Sequence, residues 1–200
     1  MNKLEIISIG GVGGCPLATI LRDLNYKTFP YDWMHSTQSF IINSFDKFEN
    51  FFIWDEKYLY EDTTHELISP NKNASILHDF THFNIQKDNV IEKYIRRFKR
   101  LKETLMNDSS ILLIRDSDNL QKNHEYPPHI IREDENMELY DIFLDNIQKL
   151  YNKNNIFLLI ITNNKKHLEY NIKNENLYII EGSINKEIIE FFKMKILNRL

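Results

Sequence analysis

The chain has 200 residues, of which 42% are hydrophobic and 27% charged, with a net charge of −4. That length suits a single domain over 1–200 that buries roughly 70% of its unfolded surface, and the composition excludes both a disordered chain and a membrane protein built on long apolar blocks. The acidic balance argues against nucleic-acid and acidic-membrane partners; Glu5, inside what would be the apolar stretch of a leader, favours a cytoplasmic location; and a lone cysteine, Cys15, excludes an intramolecular disulfide and a Cys-rich zinc site.

Leu4 to Ile9 is an apolar run too short for a core helix and is predicted to be a buried strand. Four of the five glycines follow within five positions, as Gly10, Gly11, Gly13 and Gly14, directly before Cys15. A glycine-poor chain that concentrates glycine at one point needs unusual backbone there, so at least two of the four are expected at positive φ. The spacing Leu17, Ile20, Leu21, Leu24 then predicts a helix from Pro16 with Cys15 as its N-cap and Asn25 as its stop. Phe29-Pro-Tyr-Asp-Trp33 follows, and Ser36 is the expected cap of a short second helix.

From Phe40 to Lys87 the pattern is irregular, aromatic at first and then polar, and is expected to be a partly irregular insertion. Asp88 is expected to cap a helix running to about Met106 with Arg96, Arg97, Lys99 and Arg100 on its solvated face. Ile111–Ile114, Ile156–Ile161 and Leu177–Ile180 are predicted strands, and helices are predicted over about Asp134–Tyr151 and Asn185–Leu197. Continuous apolar strands alternating with amphipathic helices specify an α/β fold: one three-layer domain on a mainly parallel sheet.

In such a sheet ligands bind beyond the carboxyl ends of the strands, which is where Gly10 to Cys15 and Arg115 are expected to meet. The loop is neither a dinucleotide fingerprint, because Pro16 occupies the position of the last glycine, nor a P-loop, because no Gly-Lys-Ser/Thr follows. No cofactor and no metal are therefore expected. The loop still offers backbone N–H groups to an anion, with Gly11, Gly13, Gly14, Asp32 and Arg115 as candidate ligand-binding residues.

A cysteine at a helix N-terminus sits where the dipole and unpaired amides stabilise a thiolate and, during reaction, an oxyanion. Seven histidines offer a base. His78 is favoured because apolar Ile76-Leu77 precedes it and Asp79-Phe80 follows, with Asp32, Asp79 or Asp116 as the orienting carboxylate. The bland reading is a buried cysteine that only packs.

The ordered blocks Ile6-Ile7-Ser8-Ile9-Gly10, Cys15, Ala18 and Leu21, Phe29-Pro30-Tyr31-Asp32-Trp33, His78-Asp79-Phe80, Tyr94 with Arg96-Arg97-Phe98, and Leu112-Leu113-Ile114-Arg115 resemble an uncharacterised family of papain-like cysteine peptidases. The resemblance implies a thiol hydrolase that pairs Cys15 with His78, assisted by Asp79 or by a downstream acid such as Asp116. Two other readings stand beside it. One is a transferase gripping a phosphate or nucleotide-sugar through Gly10–Gly14 and Arg115; the other is a non-catalytic interaction protein using the aromatic insertion. The expected substrate is accordingly a peptide, a glycan or a phosphorylated small molecule.

Overall fold

The computed structural model describes residues 3–11, 15–45, 67–68, 74–76, 87–117 and 134–200. The strands are β1 (Leu4–Gly11), β2 (His35–Ser36), β3 (Leu67–Ile68), β4 (Ala74–Ile76), β5 (Ser110–Asp116), β6 (Ile156–Thr162) and β7 (Leu177–Glu181). The helices are α1 (Cys15–Asp23), α2 (Gln38–Ser44), α3 (Lys87–Met106), α4 (Met137–Leu150), α5 (Lys165–Leu168) and α6 (Lys186–Leu197), with a 3₁₀ turn at Pro30–Trp33. The strands form one sheet in the order β3-β4-β2-β1-β5-β6-β7. Strands β2, β1, β5, β6 and β7 run parallel, and β3 and β4 add an antiparallel edge. This is the α/β architecture expected from the apolar runs. Among the described residues no helix is long and apolar enough to cross a membrane.

The period-two alternation of strands divides the core in two. Ile7, Ile9, Ile111, Leu113, Ile156, Leu158 and Ile160 face Phe40, Tyr94, Leu101, Tyr140 and Leu144, which come from α2, α3 and α4. Ile6, Leu112, Ile114, Phe157, Leu159 and Ile161 face Leu17 and Leu21 of α1 and Ile189, Phe192 and Ile196 of α6. Strands β1, β5 and β6 are coated on both sides, which is why they are apolar almost without interruption.

Several boundaries differ from expectation. Helix α1 includes Cys15 rather than starting after it. Asn25 does end the α1 segment, at φ +61°, with its N–H on Arg22 O and the Tyr26 N–H on Leu21 O, a left-handed closing turn. The second helix is capped by Thr37, whose Oγ1 accepts from Phe40 N, and not by Ser36, which belongs to β2. Asn136 caps α4 and Asn185 caps α6, each through its side-chain oxygen. Arg97 is only 8% exposed, so the basic run on α3 is not wholly solvated: Arg96 and Lys99 face out while Arg97 turns inward.

Candidate active site at the carboxyl edge

Strand β1 leads into α1 on one face of the sheet, whereas β5 leads toward α4 on the other. The chain therefore changes face between neighbouring strands β1 and β5. That is the switch point at which open α/β sheets form a crevice for ligands. Gly11 and Asp116 are register partners at its floor, and α1 starts at Cys15, four residues after Gly11.

The end of β1 is shaped by a bulge. Ser8 lies opposite Ile114 and Gly11 opposite Asp116, so β1 spends three steps where β5 spends two. Gly10 absorbs the extra residue at φ +79°, and its N–H donates to Ser8 Oγ at 3.0 Å. A side chain there would be strained by the backbone and would run into Ser36 Oγ, with Tyr31 O at 3.4 Å. At Gly11 the requirement is different, because a Cβ would lie 2.7 Å from Asp116 O. The sequence predicts at least two of the four glycines at positive φ: Gly10 is and Gly11 is not, and Gly13 and Gly14 lie outside the described residues.

Behind this bulge, on the α3/α4 face, Arg115 is fully buried. Its Nε donates to Glu135 Oε1 at 2.9 Å, and its Nη2 donates to the same oxygen and to Ser36 O at 2.9 Å. Its Nη1 donates to Ile9 O at 3.3 Å and Ser36 Oγ at 3.4 Å. Glu135 Oε2 accepts from Ser117 Oγ at 2.6 Å. One guanidinium thus ties the ends of β1, β2 and β5 to the segment before α4. Tyr140 is part of the same cluster: burial pushes its phenol well above its usual value, Arg115 opposing and Glu135 adding to the shift.

The expected site residues are therefore partly gathered. Gly10, Gly11, Arg115 and Asp116 meet at the carboxyl edge, where α1 begins at Cys15. Asp32 sits in the 3₁₀ turn next to Tyr31, whose carbonyl abuts Gly10. His78 and Asp79 lie outside the described residues. The sequence reading missed Ser36 and Glu135 as partners of Arg115; they are 79 and 20 residues away along the chain, and no local pattern marks them.

A cleft of about 490 Å³ opens at the opposite, amino-terminal edge, lined by Asp108, Lys153, Asn155, Glu175, Asn176 and Arg199 among others. Its cations are committed to the fold. Lys153 Nζ donates to Asn107 O and to Ser109 O, and Arg199 is held by Glu175 and Tyr178 Oη.

No curated protein and no solved structure matches the chain. Residues 4–164 match the model of the family described as “Putative papain-like cysteine peptidase”, and the chain belongs to that family.

Proposed function

We propose that the protein is a thiol-dependent hydrolase acting in the β1–β5 crevice, with Cys15 as nucleophile, His78 as base, and Asp79 or Asp116 orienting the imidazole. The observation that supports this reading is that α1 starts at Cys15, four residues after Gly11 at the switch point; a thiolate at a helix N-terminus is stabilised by the helix dipole and by unpaired amides. Family membership supports it independently. The parallel sheet is no obstacle, since nucleophile–histidine–carboxylate constellations recur on unrelated folds.

In this reading the imidazole takes the thiol proton and the sulfur attacks an acyl carbon, forming a C–S bond and an oxyanion held by loop and α1 amides. Collapse of that intermediate breaks the scissile bond, and the imidazolium hands its proton to the leaving group. Water, deprotonated by the same imidazole, then cleaves the thioester and releases the acid. The substrate is an acyl compound, in first place a peptide. A phosphate-gripping transferase draws less support, because Nε, Nη1 and Nη2 of Arg115 all donate to protein acceptors.

The test is the rate of iodoacetamide alkylation against pH. Wild type should show reactive thiolate well below the ordinary thiol range, near pH 8.5, and His78→Ala should lose most of that shoulder. A thiol that reacts only on unfolding refutes the hydrolase; a shoulder intact in His78→Ala refutes His78 as its base.

A further inference from the structure

The turn that abuts Gly10 is itself mounted on α3 through buried charge. Arg100 Nη1 donates to Thr28 O at 2.6 Å, and Arg97 lies with Cζ 5.0 Å from the centre of the Tyr94 ring. Facing these two arginines is Asp32, 3% exposed, whose Oδ2 accepts the Phe29 N–H at 2.6 Å. Its other oxygen, Oδ1, and Arg97 Nη1 are both buried and both lack a hydrogen-bond partner. An acceptor and a donor left unfilled on two packed elements of opposite charge are each costly, and the cost falls if they meet.

What Asp32 holds is connected directly to the crevice. Tyr31 O would lie 3.4 Å from a Cβ on Gly10, and Tyr31 Oη is 2.8 Å from Ser44 Oγ of α2. Two residues after Trp33 the chain becomes β2, whose first residue is the register partner of Gly11. A small shift of the turn against α3 is therefore delivered to the bulge of β1.

We propose that Asp32 and Arg97 form a proton-dependent joint: the neutral carboxyl leaves Oδ1 and Nη1 apart, and loss of its proton to solvent draws Nη1 onto Oδ1 and moves Phe29–Ser36 against Gly10. Of the other charged and titratable groups beside the turn, Tyr94 of α3 lies against Arg97 itself, and four more are committed elsewhere. Arg100 is on Thr28 O, Arg22 of α1 lies over the Trp33 ring at 5.9 Å, Glu5 of β1 is bound by Lys3 and Lys27, and Tyr31 is bound to Ser44. Within the turn Asp32 is the sole charged residue. Burial pushes its carboxyl up to about 7, against the pull of the Phe29 amide, Arg97 and Arg100, which places the transition near neutrality.

The joint stands whether or not Cys15 is a nucleophile; its effect on catalysis rests on the thiol-hydrolase reading. The experiment is an NMR titration from pH 5 to 9 that follows the Asp32 carboxyl carbon and the Gly10 and Gly11 amides in wild type, Asp32→Asn and Arg97→Gln. In wild type the amides should follow the carboxyl with a common midpoint near 7. Asp32→Asn should abolish that component, and Arg97→Gln should raise the midpoint by about one unit or more, since the attraction for the ionised form is gone. Gly10 titrating unchanged in Asp32→Asn, or a midpoint that ignores Arg97→Gln, overturns the joint. Should Asp32→Asn fail to fold, the Arg97→Gln midpoint decides alone. An alkylation rate at Cys15 that ignores the midpoint while Gly10 follows it counts against the hydrolase reading and leaves the joint standing.

Discussion

Replacing Arg115 by methionine keeps much of the side-chain volume and removes every donor it supplies. Three consequences can be read from the geometry. Glu135, whose side chain is 5% exposed, keeps the Ser117 hydroxyl and loses its only cation among the ion pairs described. Ser36 O loses a bond of 2.9 Å, and Ile9 O loses a longer one of 3.3 Å. Breaking one side of a buried pair costs about 3–5 kcal/mol, mostly because the surviving charge is left in the interior. With a urea slope of about 2 kcal/mol per molar, the unfolding midpoint should fall by roughly 1.5–2.5 M. The companion variant Arg115→Met/Glu135→Leu removes both charges, so it should recover about half of the loss or more, a coupling of roughly 2 kcal/mol. Urea unfolding followed by tryptophan fluorescence measures all three proteins. A loss under about 1 kcal/mol in the single variant, or no recovery in the double, refutes the claim that Arg115 is a structural tie. Stabilisation of wild type by added phosphate, absent in Arg115→Met, would instead restore it as a ligand clamp.

Gly10→Ala should destabilise by about 1–3 kcal/mol, combining positive-φ strain with the collision at Ser36 Oγ; Gly182→Ala, strained at φ +134° but with open space around its Cβ, should cost less, and equal losses in thermal unfolding would show that the crevice imposes nothing beyond backbone strain. Asp141 accepts from Tyr170 Oη, Lys173 N and Asn174 N, and burial together with this carboxylate pushes the Tyr170 phenol up to about 12. In Asp141→Asn the Tyr170 titration, isolated by subtracting Tyr170→Phe ultraviolet spectra, should move back toward the ordinary value near 10, and no movement refutes the assignment.

Much of the frame was legible because β1, β5 and β6 are buried on both faces, a condition that writes itself into sequence as unbroken runs such as Ile156–Ile161. Helices α4 and α6 were legible for the complementary reason, an apolar stripe closed by asparagine caps. Strand β2 was not. With two residues, one of them Ser36, it carries no period, and it is held by its pairing with Gly11 and with β4 and by Arg115 on Ser36 O. The inward turn of Arg97 was hidden in the same way. Beside Arg96 and Lys99 it looks like one more solvated cation, and only the packing of the 3₁₀ turn on α3 distinguishes it. At the site, the glycine cluster and Cys15 stood out as composition, and Arg115-Asp116 stood out as charge ending an apolar strand. That Arg115 lies behind the bulge and Asp116 at the crevice follows from one-residue alternation between the two faces of β5.

The buried carboxylates make a final, separable prediction about stability. Asp32 has its carboxyl raised from 3.8 to about 7 in the fold, so between those values the native state binds more protons than the unfolded chain, and stability falls as pH rises. The contribution is fully present below about pH 4, declines by about 1.36 kcal/mol per unit through the window, and levels off above about 7, a total of about 4 kcal/mol as an upper bound. Glu5 acts in the opposite sense: burial alone would raise its carboxyl, but hydrogen bonds from Lys3 and Lys27 hold it below the usual range, so its contribution is present above the unfolded value and lost on acidification. The raw pH profile mixes the two, and the difference between wild type and Asp32→Asn isolates the first. Asparagine keeps an oxygen for the Phe29 N–H and never ionises, so the variant should lie close to wild type at pH 4 and become the more stable of the two by about pH 8. Two unfolding profiles that run parallel from pH 4 to 8 would show that Asp32 does not carry its proton into the neutral range, and with that the joint on α3 would lose its trigger.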